Sequence, residues 1–403
     1  METANEYEMI LIDLSHTSHT QARTGVQRVS RSLHAAVAGH RGDHVCAVTW
    51  DPYRRVWRRL LPFETAALSA DAPSDHRGAR WPLSWKIRGR IERWTKKPEP
   101  PLPESSAVIV PEIFSPQVAT HLPPLLARTA GPRIALFHDA IALKLPEFTP
   151  AKTVARFPAY LRELLAFDGI AAVSQDSRDT LLEWWRWMGV SDIPDVAAIP
   201  LGVEEPKEDT VLARTTAVPV VLSVGTLEGR KNHPALLDAC ETLWQQGHAF
   251  ELRLIGLAHP ETGRAALERT HALQAAGRPL RYDGAVDEKT LRAAYHECAF
   301  TVYPSLMEGF GLPVLESLSY GKPCICSAQG ALGESSRGGG CLSLPTVDAS
   351  SLASAIAWLL TRPEQRLLLT HAAQARAQKT WDTYASELLA WMSGVRRRTK
   401  AAG

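Results

Sequence analysis

The sequence holds no Cys-x-x-Cys pair. Its six cysteines stand scattered at 46, 240, 298, 324, 326 and 341, with neither the spacing of a zinc site nor the density of a disulfide framework. No structural metal is expected, and a reducing cytoplasm is the expected setting. No Gly-x-Gly-x-x-Gly follows the first strand-like run, which argues against a dinucleotide fingerprint and against hydride transfer. No Asp-x-Asp triplet occupies a plausible loop, so neither a metal nor another cofactor is expected at the chemistry. A spanning run of about 20 apolar residues is missing, and Glu2, Glu6 and Glu8 are unlike a signal peptide. Any membrane contact is therefore expected to be peripheral.

What is present is an ordinary globular composition, 45% hydrophobic and 22% charged over 403 residues, a length that favours two domains. The net charge of +2 hides an uneven distribution. Positions 54–97 carry twelve Lys/Arg against four acids (Glu64, Asp71, Asp75 and Glu92), with Trp81, Trp85 and Trp94 threaded among them. Basic charge mixed with tryptophan suits an anionic membrane surface; the alternative is a structural insertion with a solvated arginine-rich face. Nothing suggests a nucleic-acid partner.

Short apolar runs at Met9–Leu14, Val45–Trp50, Ala107–Val110, Ile134–Phe137, Gly169–Val173 and Val196–Ile199 alternate with helical stretches such as Val26–Val37 and Ser177–Met188. This is the rhythm of a parallel doubly wound sheet. A proline-containing passage from Pro200 to Pro219 interrupts it, and the pattern restarts at Val220–Val224. The expected architecture is therefore α/β, two Rossmann-like lobes facing a cleft: 1–203, then 204–380, with a closing helix in 381–403 packing back on the first lobe.

Four motifs carry the chemistry. In Pro304-Ser-Leu-Met-Glu308-Gly309-Phe310-Gly311-Leu312-Pro313-Val-Leu-Glu316, two carboxylates flank a glycine-containing loop that enters a helix, and Pro313 suits its first turn. The N–H groups of Phe310, Gly311 and Leu312 would meet an anion or sugar hydroxyls at the helix N-terminus. In Val221-Leu-Ser-Val-Gly225-Thr226-Leu-Glu-Gly-Arg230-Lys231-Asn-His233, a buried strand empties into two adjacent cations, which can neutralise a diphosphate. Taken alone, such a turn is as readily a solvated loop. His138 and Asp139 end the strand Ile134–Phe137 at the carboxyl edge of the first sheet, though a core histidine and a capping aspartate would read the same way. Gly25 opens a helix behind Thr24, where it would let a ligand approach the backbone or merely start the helix.

The Glu308 to Glu316 string resembles the EX7E signature of glycosyltransferase family 4, and Gly225–Asn232 resembles the Gly-Thr-Leu-Glu-x-Arg-Lys-Asn form of a mannosyltransferase-rich branch. The resemblance runs strongly over 216–345 and weakly over Ile10–Val37 and Ile134–Trp185. It implies the GT-B fold and a retaining, metal-independent transfer of a hexose, mannose from GDP-mannose first and UDP-glucose-type donors next. It places Glu308 beside the donor sugar, Glu316 on the ribose, His138 on the sugar from the first lobe, and Arg230 and Lys231 on the leaving diphosphate. Gly284 and Val286 resemble the base-binding loop. Thr226 stands where many members have arginine, so Arg230 is expected to take that role. The implied acceptor is a glycan or a polyprenyl-linked glycan at the inner face of the plasma membrane. A sugar-nucleotide epimerase of the same fold and a non-catalytic sugar-nucleotide sensor are the competing readings.

Overall fold

Strands buried on both faces read as near-continuous apolar runs, and Ile10–Asp13, Ala107–Val110 and Gly169–Ala172 are buried at every position, with Asp13 the one charged residue among them. The computed structural model describes residues 8–20, 22, 25–69, 79–204 and 218–398. The chain parts into two units, Met1–Asp139 with Pro158–Gly202 and Trp381–Gly403, and Ala140–Phe157 with Val203–Thr380. This division differs from the sequence boundaries at Val203 and, more widely, at Ala140–Phe157, both read as part of the first lobe and here grouped with the second. Phe148 packs on Gly229, where an added Cβ would lie 2.4 Å from the ring.

The first unit holds β1 (Ile10–Asp13), β2 (Val45–Asp51), β3 (Val56–Arg59), β4 (Ala107–Val110), β5 (Arg133–Phe137), β6 (Gly169–Ala172) and β7 (Asp195–Ala198), in the order β3-β2-β1-β4-β5-β6-β7. All neighbours run parallel except β3, which returns antiparallel on β2 and was not anticipated from sequence. The Trp381–Gly394 helix lies against the Gly25–Arg41 helix and buries Tyr384, Leu388 and Met392 at helical spacing. Trp391 crosses Gly169 so closely that an added Cβ would stand 2.8 Å from its ring.

The second unit holds β8 (Val220–Val224), β9 (Glu251–Ile255), β10 (Leu280–Tyr282), β11 (Phe300–Tyr303), β12 (Cys324–Ser327) and β13 (Cys341–Leu344), all parallel, in the order β10-β9-β8-β11-β12-β13. Its core runs from Val221, Leu252, Leu254 and Val302 to Leu236, Leu243, Leu352 and Ile356 on the covering helices. Among the described residues no helix is long and apolar enough to cross a membrane. Most of the Pro200–Pro219 passage lies outside the described residues.

Part of the basic segment is internal. Arg58, on β3, is 1% exposed and binds Asp51 at 2.9 Å and Glu64 at 2.7 Å. His19 Nε2 meets Glu64 Oε1 at 2.7 Å, Trp81 stacks on His19 at 3.7 Å, and Trp85 donates its indole N–H to Asp51. Burial alone would raise Glu64, but hydrogen bonds from Arg58 and His19 outweigh it and bring the carboxyl down to about 2. Arg54 is likewise half-enclosed, bound to Glu92 and Glu99. Two of the three tryptophans and two of the arginines thus face inward and anchor the insertion, and only Trp94 of the three stands exposed.

Candidate active site

In the second unit the sequence builds one polar cluster where β8 and β11 end. After β8 the chain passes Gly225 and forms a short 3-10 turn, Gly229–Lys231, which Asn232 closes in the left-handed region at φ 54°. Asparagine enters that region more readily than most residues, and its Nδ2 donates to the distant Val347 O at 2.7 Å. The His233–Gln245 helix follows, with Pro234 in its first turn.

The turn is fastened to the loop after β11: Leu306 N donates to Arg230 O, and Arg230 Nη1 donates to Met307 O at 3.1 Å. Arg230 grips Glu308 Oε2 at 2.6 Å and, through Nη2, Glu228 Oε1 at 2.7 Å. Lys231 Nζ holds the other oxygen of Glu308. Burial would push Glu308 up, yet the charges of Arg230 and Lys231 prevail and draw it down to about 2. Held by these two cations, Glu308 is ionised at neutral pH. The two cations are paired within the unit. They are matched by two carboxylates, Glu228 and Glu308, and an arriving diphosphate has to compete for them.

Gly311 caps the Leu312–Ser319 helix with φ 106°, a conformation only glycine adopts freely. Ser335 donates to Phe310 O and sits 3.0 Å from where a Gly311 Cβ would be. Glu316 is buried on this helix and accepts from Tyr295 Oη at 3.3 Å, which meets Tyr303 Oη at 3.0 Å. Tyr320 stacks on Tyr295 at 4.8 Å. These tyrosines were missed from sequence because nothing local ties positions 295, 303 and 316 together.

Backbone glycines line the carboxyl ends of β8, β9 and β10. Gly225 N bonds Ile255 O at 2.8 Å, and Gly256 N bonds Gly284 O at 2.8 Å. An added Cβ on Gly256 would fall 2.0 Å from Gly225 O, while Lys231 Cε lies 3.9 Å from a Gly225 Cβ. Gly256, unremarked in the sequence reading, thus keeps the floor beside Lys231 flat. Val286 is half-buried against the cluster of Val220, Leu222 and Ile255, so part of its role is packing. Gly309 and Thr226 lie in the two loops just described.

His138 belongs to the first unit. It follows β5, is buried, and its Nε2 donates to Pro111 O at 2.7 Å. Burial holds its pKa below the ordinary value against the opposite pulls of that bond and Asp139. The ring is neutral, and Nδ1 is left as the acceptor nitrogen. At the same sheet edge Glu112 accepts the N–H groups of His16 and Thr17, and burial with the Glu112 charge lifts Asp13 to about 7. Gly25 begins the first helix with nothing within 4 Å of an added Cβ, so packing within the unit does not require glycine there. Thr24 lies outside the described residues.

One grouping contradicts the view of the cysteines as scattered. Cys324 and Cys326 on β12 and Cys341 on β13 bring their sulfurs within 4.8 Å of one another, because Cys341 is the register partner of Cys324. A set of thiols alone suits soft ions rather than the hard cations that accompany diphosphates.

Two doubly wound parallel sheets, the second carrying the Glu308 cluster, are the components of the GT-B fold. Residues 204–376 match the family model for glycosyl transferases group 1. The chain is 26% identical over 338 residues to the serotype-specific mannosyltransferase WbdA of Escherichia coli, a match covering 78% of this chain and 38% of that protein. To the O-antigen chain mannosyltransferase B of Escherichia coli it is 27% identical over 264 residues, 64% of this chain and 68% of that one. Sucrose-phosphate synthase from Thermosynechococcus elongatus superposes with a TM-score of 0.66 at 20% identity, over 96% of this chain and 98% of that structure. The chain thus shares the GT-B fold, and its second unit is similar to group 1 glycosyl transferases. It spans little more than a third of the length of the WbdA protein it matches.

Proposed function

We propose that the protein transfers a hexose, mannose from GDP-mannose, to a glycan or polyprenyl-linked glycan in polysaccharide assembly, with retention of configuration and without a metal. The observation that carries the reading is the grip of Arg230 and Lys231 on Glu308 at the mouth of the second sheet, in a chain similar to two mannosyltransferases. Departure of a nucleoside diphosphate develops negative charge on phosphate and positive charge on the sugar. Arg230, Lys231 and the N–H groups at the start of the Leu312–Ser319 helix answer the first, being fixed donors in a largely enclosed place. As the diphosphate draws the cations toward itself, Glu308 is released to face the sugar, where its fixed negative charge answers the second. Glu316, oriented by Tyr295, takes the ribose hydroxyls.

The test is transfer assayed on the full chain with GDP-mannose and UDP-glucose, with and without EDTA. Turnover is expected with GDP-mannose, at least about tenfold faster than with UDP-glucose, since a single well-placed contact to the base is worth that much. EDTA is expected to leave the rate unchanged. Faster use of UDP-glucose would reassign the donor, abolition by EDTA would remove the metal-free mechanism, and epimerised donor without transfer would replace the reaction altogether.

A further inference from the structure

The Leu83–Trp94 helix buries one face and leaves an apolar stripe uncovered. Trp85, Gly89 and Glu92 point inward; a Cβ on Gly89 would lie 2.9 Å from Tyr53 Cβ. On the opposite side Leu83, Ile87, Ile91 and Trp94 stand 72%, 51%, 54% and 85% exposed. At 3.6 residues per turn these four positions fall in one stripe along the helix. They are four of the twelve large hydrophobics exposed among the described residues, where singly placed ones need no explanation but a contiguous row does. Lys86, Arg90 and Arg93 run beside the stripe, and Lys96 and Lys97 continue past its end. The one acid of the helix, Glu92, is buried and already bound to Arg54, Arg88 and Lys97.

We infer that this stripe is a seat on an anionic lipid bilayer, the helix lying in the interface with Leu83, Ile87, Ile91 and Trp94 among the acyl chains and the neighbouring cations at the phosphates. Apolar residues rimmed by Lys and Arg fit that boundary, where each gains from a different layer. A second copy of the chain fits poorly: two such faces apposed would bring Lys86, Arg90 and Arg93 of each against those of the other. The seat differs from the diffuse attraction expected of the whole basic segment, because Arg58, Trp81 and Trp85 are internal and the contact is confined to one helix. It deepens the reading of a lipid-linked acceptor but stands on the helix alone.

The experiment is co-sedimentation of the full chain with phosphatidylglycerol–phosphatidylcholine vesicles and with phosphatidylcholine vesicles. The variants are the triple change Ile87→Ser, Ile91→Ser, Trp94→Ser and the pair Arg90→Glu, Arg93→Glu. Wild type is expected to bind the anionic vesicles, and each variant to lose at least about tenfold in partitioning, with unchanged melting and unchanged turnover on a water-soluble acceptor. Wild-type partitioning in the triple variant would overturn the inference. So would a lipid-free dimer of the wild type that the triple variant dissolves, since it would give the stripe to a second copy. Absence of turnover in every form would count against the proposed reaction and leave the vesicle result to decide the seat.

Discussion

Glu308→Gln is expected to lower transfer by roughly tenfold to thousandfold, the range for losing one preorganised charge, while GDP binds as tightly as to the wild type or more tightly. The two halves of that result have one cause. Glu308 occupies Arg230 Nη1 and Lys231 Nζ, the same donors that a diphosphate needs. Removing its charge removes the competitor, so ground-state affinity for the leaving group is kept or improved. The charge that answers a developing sugar cation is lost at the same time, and turnover falls. Because Glu308 is held at about 2 while Arg230 and Lys231 grip it, no acid limb of the wild-type kcat/KM profile between pH 4 and 7 should belong to it. Steady-state kinetics with GDP titration of both forms checks the pair of outcomes; weaker GDP binding together with full turnover would reverse the assignment.

Arg58→Met is expected to destabilise the protein by about 3–5 kcal/mol, the cost of leaving a buried charge partner uncompensated, and here two carboxylates, Asp51 and Glu64, would be stranded. Arg59→Ala, at the next and exposed position of β3, removes the same unit of charge from the same segment and is expected to change stability by no more than about 0.5 kcal/mol. Thermal or denaturant melts of the two variants separate an internal anchor from a surface charge. The pH dependence carries a further sign. Glu64 in the folded chain sits at about 2, below its ordinary 4.5, so its contribution is full above pH 4.5 and is lost as pH falls through about 2. In Arg58→Met that acid-side loss should shrink, because the depressing partner is gone.

These two arginines mark where the sequence could be read and where it could not. Covered parallel strands are continuous apolar runs, so β1, β4, β5, β6, β8 and β11 were visible as such. β3 was hidden, because Arg58 and Arg59 look like surface whichever way they point. Composition counts charges but carries no record of pairing, and Asp51, Arg58 and Glu64 become partners only once β3 has turned back on β2. The Leu83–Trp94 helix was obscured for a different reason: with Trp85 on one face and Leu83, Ile87, Ile91 and Trp94 on the other, its period is blurred. In the second unit the residues of the Glu308 cluster were legible through resemblance to a family. That Arg230 and Lys231 would bind Glu308 across 77 or more positions was not written in either motif. Gly229 and Gly256 carried a signal, as glycines beside a cation loop and a strand end, but its cause lay in Phe148 and Gly225, which only the folded chain brings near.

Calorimetric titration of GDP-mannose into the full chain and into Lys231→Ala goes most directly to the central claim. One sugar nucleotide should bind per wild-type chain, and the variant, lacking an ammonium for the diphosphate, should bind at least about tenfold more weakly. Equal affinity in both forms, or no binding of any nucleotide sugar to the wild type, would contradict it.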